Sequence, residues 1–193
     1  MSAPDATVLN GREILLCLTG GIACYKSADL TSRLVQDGAG VTVCLTEAAQ
    51  RFVAPLTFGA LSRRRVYTSL WAPAEDYTAG HISLTEAADV MVVAPATADA
   101  LAKFAHGLAD DLVSTLALSA CGECPLIVAP AMNTRMWNAP PTQANVAALV
   151  ERGVRVVGPG EGRLACGTVG AGRMIEPDAI RAAVCGVLSA SSA

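Results

Sequence analysis

The chain has few aromatic side chains: Phe, Trp and Tyr make up 4% of its 193 residues. A core must therefore rest on Ala, Val, Leu and Ile. It also has no uncharged apolar run of the ~18–20 residues that a membrane span needs. Yet 52% of the residues are hydrophobic and the mean hydropathy is +0.43. That surplus fits a parallel sheet covered on both faces, together with contacts between subunits. Positive charge is scarce too. The formal net charge is −3 and the longest basic run is Arg63-Arg64-Arg65, which argues against nucleic acid as a partner. The triplet suits a solvated loop or an oligomer contact.

Met1 to Arg12 holds no basic segment followed by an apolar one, so no secretory signal is visible and a cytoplasmic address is expected. The seven cysteines are then not expected to form disulfides. Cys17 and Cys44, inside apolar runs, are expected as small core residues. Cys121-Gly-Glu-Cys124 is a single CxxC with neither histidine near it, whereas zinc usually takes four ligands, so no metal is expected. The full GxGxxG of dinucleotide folds is missing as well.

What is present is an alternation of strand-like and helix-like segments. Glu13–Leu18 reads as a strand, Ile22–Gln36 as a helix and Val41–Leu45 as a second strand, with a helix opening at Thr46. Asp89–Ala94 and Leu126–Ala129 read as central strands ended by Pro95 and Pro130, since proline cannot donate to a ladder. Leu101–His106, Leu112–Ala120, a segment opening at Pro140-Pro141 and Pro177–Leu188 read as helices, and Val154–Val157 as a last strand. Residues 55–80 look irregular. Six glycines in 158–173 predict a loop of the kind that serves as a lid. The pattern predicts one domain over residues 1–193, an α/β three-layer sandwich of Rossmann or flavodoxin type with a parallel sheet. Residues 1–10 and 189–193 are expected to fray.

Ligands of such sheets sit at the carboxyl ends of the strands. Gly20-Gly21 after the first strand, with Thr19 and Thr46 at strand ends, suits one phosphate better than a pyrophosphate, hence a mononucleotide. Thr97, between small residues before a helix, suits a phosphate or ribityl chain. Beyond Pro130 stand Asn133, Met136 and Trp137, types that fit a flat aromatic ligand beside a polar substrate or, equally, plain packing. His81 follows a glycine and opens a helix, so it is either a base or a turn residue. His106 reads as a surface or core histidine. Cys166, among glycines, is a candidate proton donor or an incidental loop cysteine.

Five segments in order, Thr19–Lys26, His81–Leu84, Ala94–Asp99, Pro130–Trp137 and Leu164–Met174, resemble the homo-oligomeric flavin-containing cysteine decarboxylase family over nearly the whole chain. The resemblance implies FMN as cofactor. Gly20, Gly21, Ile22, Thr46, Ala96, Thr97, Ala98 and Asp99 would hold its phosphate and ribityl, with Ala131 and Met132 near the ring. Where Asp99 stands the family often has Asn. It further implies His81 as base, Asn133 as holder of the substrate carboxylate, and Cys166 as acid. The loop 158–173 would clamp substrate, and Met136, Ala165, Cys166 and Gly167 would contact it.

The activity so implied is decarboxylation of 4′-phospho-N-pantothenoylcysteine in coenzyme A synthesis. In the family's chemistry FMN oxidises the thiol, CO₂ leaves, and the enethiolate is reduced again. A neutral Asn suits the carboxylate, because a cation would stabilise the ground state and oppose CO₂ loss. The family also contains peptidyl-cysteine decarboxylases of lantibiotic maturation and non-catalytic regulatory flavoproteins, which are the alternative readings. Its members are trimers or dodecamers. Most bacterial members are fused to a C-terminal synthetase, and this chain stops short of one.

Overall fold

The computed structural model describes residues 8–71, 81–163, 167 and 169–190, with His81 described in its backbone only. Six strands form one parallel sheet: β1 (Glu13–Leu18), β2 (Gly40–Leu45), β3 (Val66–Tyr67), β4 (Val90–Ala96), β5 (Leu126–Pro130) and β6 (Arg155–Val156). Their spatial order is β3-β2-β1-β4-β5-β6. The strand order reverses between the parallel neighbours β1 and β4, which opens a crevice at the carboxyl ends of those two strands.

The period-2 alternation of the strands splits the core into two layers. Ile14, Leu16, Leu18, Val90, Val92 and Ala94 face α1 (Cys24–Gln36), α3 (Pro55–Ser62) and α9 (Pro177–Ala190). Leu15, Cys17, Met91, Val93 and Val128 face α5 (Ala98–His106), α6 (Leu112–Ser119) and α8 (Pro140–Glu151). Short helices α2 (Glu47–Gln50), α4 (His81–Glu86) and α7 (Thr134–Trp137) fill the loops. The three-layer α/β sandwich is thus as expected, and Cys17 and Cys44 are fully buried in it. No helix among the described residues is long and apolar enough to cross a membrane.

Several local expectations change. Helix α1 starts at Cys24, not Ile22, because Cys24 N–H closes a turn on Gly21 O at 3.0 Å. Of the stretch 55–80, residues 55–71 are more regular than expected, since Pro55 starts α3 at its first position and β3 follows, and residues 72–80 lie outside the described residues. Apolar residues run all round α3 (Phe58 buried, Leu56 81% exposed), so it shows no stripe to read. Arg64 of the basic triplet pairs with Glu13, and Arg65 sits 5.2 Å from the centre of the Tyr67 ring.

Pro95 does not end its strand, which runs on to Ala96, whereas β5 ends at Pro130 as expected. The ladder between β4 and β5 shifts register between Val93 and Ala96, which bypasses the missing donor, and resumes at Ala96 and Pro130. The Pro95 carbonyl is used instead by Thr19, through both its N–H (3.2 Å) and its hydroxyl (2.8 Å).

The final strand is shorter than expected, spanning Arg155–Val156, although Val157 N–H still bonds Val128 O at 2.9 Å. The glycine-rich stretch 158–173 is not structureless. It forms an antiparallel hairpin of β7 (Gly160–Arg163) and β8 (Val169–Arg173). Fraying does not reach residues 8–10, since Leu9 is fully buried. Helix α9 continues through Ala190.

Candidate functional site

Crossover helices and loops put three helix entries side by side at the carboxyl ends of β1, β2 and β4. The N–H groups of Gly20, Gly21, Ile22 and Ala23 have no acceptor among the described residues. Thr46 caps α2 by accepting Ala49 N–H at 3.1 Å, and Thr97 caps α5 by accepting Ala100 N–H at 3.2 Å. Oriented amides at helix entries of this kind favour an anion. Gly20 must be glycine here, because a Cβ would lie 2.4 Å from the Ala48 methyl. The loops after β1 and β2 therefore close to backbone distance.

Between them lies a cleft of about 280 Å³, lined among others by Gly20, Thr46, Thr97, Ala98, Asp99 and Met136. Thr19 also borders it, but not in the role expected. Its hydroxyl hydrogen goes to Pro95 O and its oxygen takes Thr97 N–H at 3.0 Å, so Thr19 braces the floor and is not a donor to a ligand. Thr46 uses its oxygen as the cap and keeps a hydrogen to donate.

Among the described residues the one cation in the cleft wall is Lys103, whose Nζ meets Asp110 at 2.9 Å, Asp111 at 3.0 Å and Asp99 at 3.4 Å. Burial opposes its charge, but the Asp110 and Asp111 hydrogen bonds prevail and hold the ammonium well above its usual pKa. Asp111 also caps α6 in a capping box with Ser114. Lys103 thus joins the α5 and α6 entries, and any phosphate in the cleft meets amides and hydroxyls first.

The turn after β5 stands beside this cleft. Ala131 N–H bonds Ala96 O at 3.0 Å and Met132 packs on the second core layer. Asn133 is the N-cap of α7: its Oδ1 accepts Arg135 N–H at 2.8 Å, which fixes the orientation of the carboxamide.

Strand β8 lies directly on this turn. Met132 N–H donates to Gly172 O at 2.9 Å, and a Cβ on Gly172 would come within 2.3 Å of Met132 O. A Cβ on Gly170 would lie 2.7 Å from Thr134 Oγ1. That hydroxyl is buried and has no hydrogen-bond partner among the described residues. Gly170 and Gly172 thus let the hairpin sit flush against the Asn133 turn.

Among the expected site residues, Gly20, Thr46, Thr97, Ala98, Asp99 and Met136 come together in the cleft wall. Gly21 and the 59%-exposed Ile22 follow Gly20 at its rim. Ala96 is buried under the site, while Ala131, Met132 and Asn133 stand next to the cleft but outside its wall. Gly167 is exposed with φ +86°. The backbone of His81 opens α4, and its side chain lies outside the described residues, as do Ala165 and Cys166. His106 is exposed and meets Asn145 at 3.1 Å.

Sequence reasoning missed Lys103, Asp111, Thr134 and Gly172. Only the Asp99–Lys103 spacing, one helical turn, signalled any of them.

The flavoprotein family model matches residues 2–189. The chain is 48% identical over 173 residues to the coenzyme A biosynthesis bifunctional protein CoaBC of Bacillus subtilis (strain 168), covering 90% of this chain and 42% of that protein. To CoaBC of Escherichia coli (strain K12) it is 46% identical over 169 residues, 88% of this chain and 41% of the other. The chain thus spans less than half the length of these curated relatives. Among solved structures it resembles a cysteine-to-serine mutant of PPC decarboxylase complexed with pantothenoylaminoethenethiol. The TM-score is 0.79 and the identity 33%, covering 91% of this chain and 97% of that one. It also resembles the FMN-dependent cysteine decarboxylase SpaF, with TM-score 0.78 and 29% identity over 96% of this chain and 99% of the other. With its cleft, its turn and its hairpin assembled on a doubly wound sheet, the chain belongs to the flavoprotein family, together with PPC decarboxylase.

Proposed function

We propose that this protein decarboxylates 4′-phospho-N-pantothenoylcysteine to 4′-phosphopantetheine in coenzyme A synthesis, with FMN as its cofactor. The observation that carries the reading is the 33% identity to PPC decarboxylase across 97% of that chain. The cleft supports it chemically. Uncommitted amides at Gly20 to Ala23, the Thr46 hydroxyl and a Gly20 with no room for a side chain fit a phosphate held by neutral donors. FMN would lie along Gly20–Ile22, Thr46 and Ala96–Asp99, with Ala131 and Met132 beside its ring. When bound, it supplies a two-electron acceptor for the substrate thiol and returns the electrons after CO₂ loss.

The chain's own residues bind, orient and move protons. Asn133, its Oδ1 tied to the backbone, meets the substrate carboxylate through its amide N–H edge. Because it is neutral, it orients the carboxylate without stabilising the ground-state charge as a cation would. His81 takes a proton during thiol oxidation, and Cys166 returns one to carbon at the end. Hairpin β7–β8, seated on the Asn133 turn, clamps the substrate. The purified protein is expected to carry a flavin spectrum and to release CO₂ and 4′-phosphopantetheine. A flavin-loaded protein that does neither refutes the proposal.

A second reading, a peptidyl-cysteine decarboxylase, draws on the likeness to SpaF and to TvaF, the FMN-dependent cysteine decarboxylase from thioviridamide biosynthesis. TvaF is 32% identical with TM-score 0.69, over 77% of this chain and 90% of the other. Turnover of a peptide ending in cysteine, with none of the pantothenoyl substrate, would establish it instead.

The assembly proposed is a homo-oligomer, trimer or dodecamer. Ile22, Tyr25, Phe52 and Leu56 are 59%, 60%, 48% and 81% exposed and lie on the helices and loops flanking the cradle. A protein of this apolar content covers such a face with a second copy.

A further inference from the structure

Lys26 lies in α1, in the same motif as Gly20 and Gly21, and neither the cradle nor the proposed chemistry uses it. It is only 6% exposed, and lysines are almost never that buried unless paired. Its Nζ donates to Met174 O at 3.0 Å and to Glu176 Oε1 at 2.9 Å. Arg173 reaches the same carboxylate oxygen at 2.6 Å. Met174 directly follows β8 and is itself buried. Two residues earlier on that strand, Gly172 O receives Met132 N–H, and Asn133 comes next.

We infer that Lys26 is a positioning residue: it holds the root of β8 so that the strand seats on the Met132–Asn133 turn and fixes the carboxylate-binding amide relative to the cofactor cradle. The pair is buried on the Lys26 side alone, with Glu176 60% exposed, and such a pair adds little net stability over an apolar side chain of similar volume, so stability alone does not call for an ammonium here. What the ammonium adds is direction. Two of its three donors are aimed, one at a backbone carbonyl and one at a carboxylate, and both acceptors lie just beyond β8. A methionine would fill the space and leave the strand free to slide along α1. Glu176 works with Lys26 from the surface: the Lys26 hydrogen bond, opposed by slight burial and helped by Arg173, keeps its carboxyl below the usual range.

The inference rests on the proposed decarboxylase reading for its kinetic arm but not for its structural arm. Lys26→Met and Glu176→Gln would be made in the flavin-loaded protein and compared with wild type by amide hydrogen exchange, flavin dissociation constant, and KM and kcat on 4′-phospho-N-pantothenoylcysteine. In Lys26→Met, exchange at the Met132 amide is expected to rise by about tenfold or more, with flavin affinity within about threefold of wild type. Its KM is expected to rise about tenfold, more than kcat falls. Glu176→Gln, which keeps the bond to Met174 O, is expected to shift all three in the same direction by less. If Lys26→Met does not fold, the exposed Glu176→Gln decides alone. Unchanged Met132 exchange in the folded variants overturns the inference. So does flavin loss that accounts for the exchange, since it would place the effect in the cradle. Wild type inactive on the substrate, with the exchange response intact, would refute the decarboxylase reading and leave the role of Lys26 standing.

Discussion

Asn133 performs two tasks with one carboxamide, and the two can be separated. Its oxygen caps α7, and its nitrogen edge is assigned to the substrate carboxylate. Asn133→Asp keeps the capping oxygen and places a negative charge where the carboxylate must bind. Its melting temperature is expected to stay near wild type while kcat/KM falls by about 100-fold or more, since like charges in a partly desolvated site repel strongly. Asn133→Ala loses the cap as well, which costs about 1 kcal/mol of stability. Thermal melts beside steady-state kinetics check both. An Asp variant with unchanged kinetics would remove Asn133 from the substrate site. Asp99, by contrast, is already a carboxylate, balanced by Lys103 at 3.4 Å.

Among the elements, the hairpin is the clearest case of structure carried by residues that have no side chain. Gly172, at φ +133°, leaves 2.3 Å between a would-be Cβ and Met132 O. Gly172→Ala therefore combines a strained backbone with an overlap against a carbonyl that cannot give way cheaply. It is expected to cost about 2–3 kcal/mol and to lower kcat/KM, as denaturant titration and kinetics would show.

The same element explains what could be read from the chain beforehand. β1, β4 and β5 are runs of Leu, Ile and Val, and helices α5, α6, α8 and α9 follow them with caps or prolines at their starts, so the sandwich was visible in the sequence. Helix α3 was not, because its apolar residues surround it and its inner face is marked by Phe58 and the polar Ser62. Glycine predicts loops on average, yet in β7–β8 it permits close contact with a distant turn, and no local pattern records that partner. Pro95 misled for a related reason: the ladder shifts register to accommodate it. At the site, residue types and the family resemblance pointed to Gly20, Thr46, Thr97 and Asn133. The tie from Lys26 to Met174 and the Lys103 cluster join segments far apart in sequence and needed the fold to appear.

For the molecule as a whole, the apolar residues that remain outside matter as much as those inside. Leu56, 81% exposed on α3, belongs to the face proposed to meet another copy. Leu56→Glu is expected to shift the mass seen by light scattering from oligomer to monomer and to weaken flavin retention, because Ile22 on the same face borders the cradle. A wild-type protein that scatters as a monomer would refute the assembly.

Thr134 bears on how firmly the whole fold is held. Its hydroxyl, buried under β8, has no hydrogen-bond partner among the described residues. Valine has the same shape without the hydroxyl. Thr134→Val is therefore expected to raise stability by about 1 kcal/mol, seen as a higher melting temperature of the flavin-loaded protein. A lower one would mean that the hydroxyl has a partner in solution. Seen this way, the seam between hairpin and turn is the place where the protein stops short of its own thermal optimum, and the first place to look for a hardier variant of it.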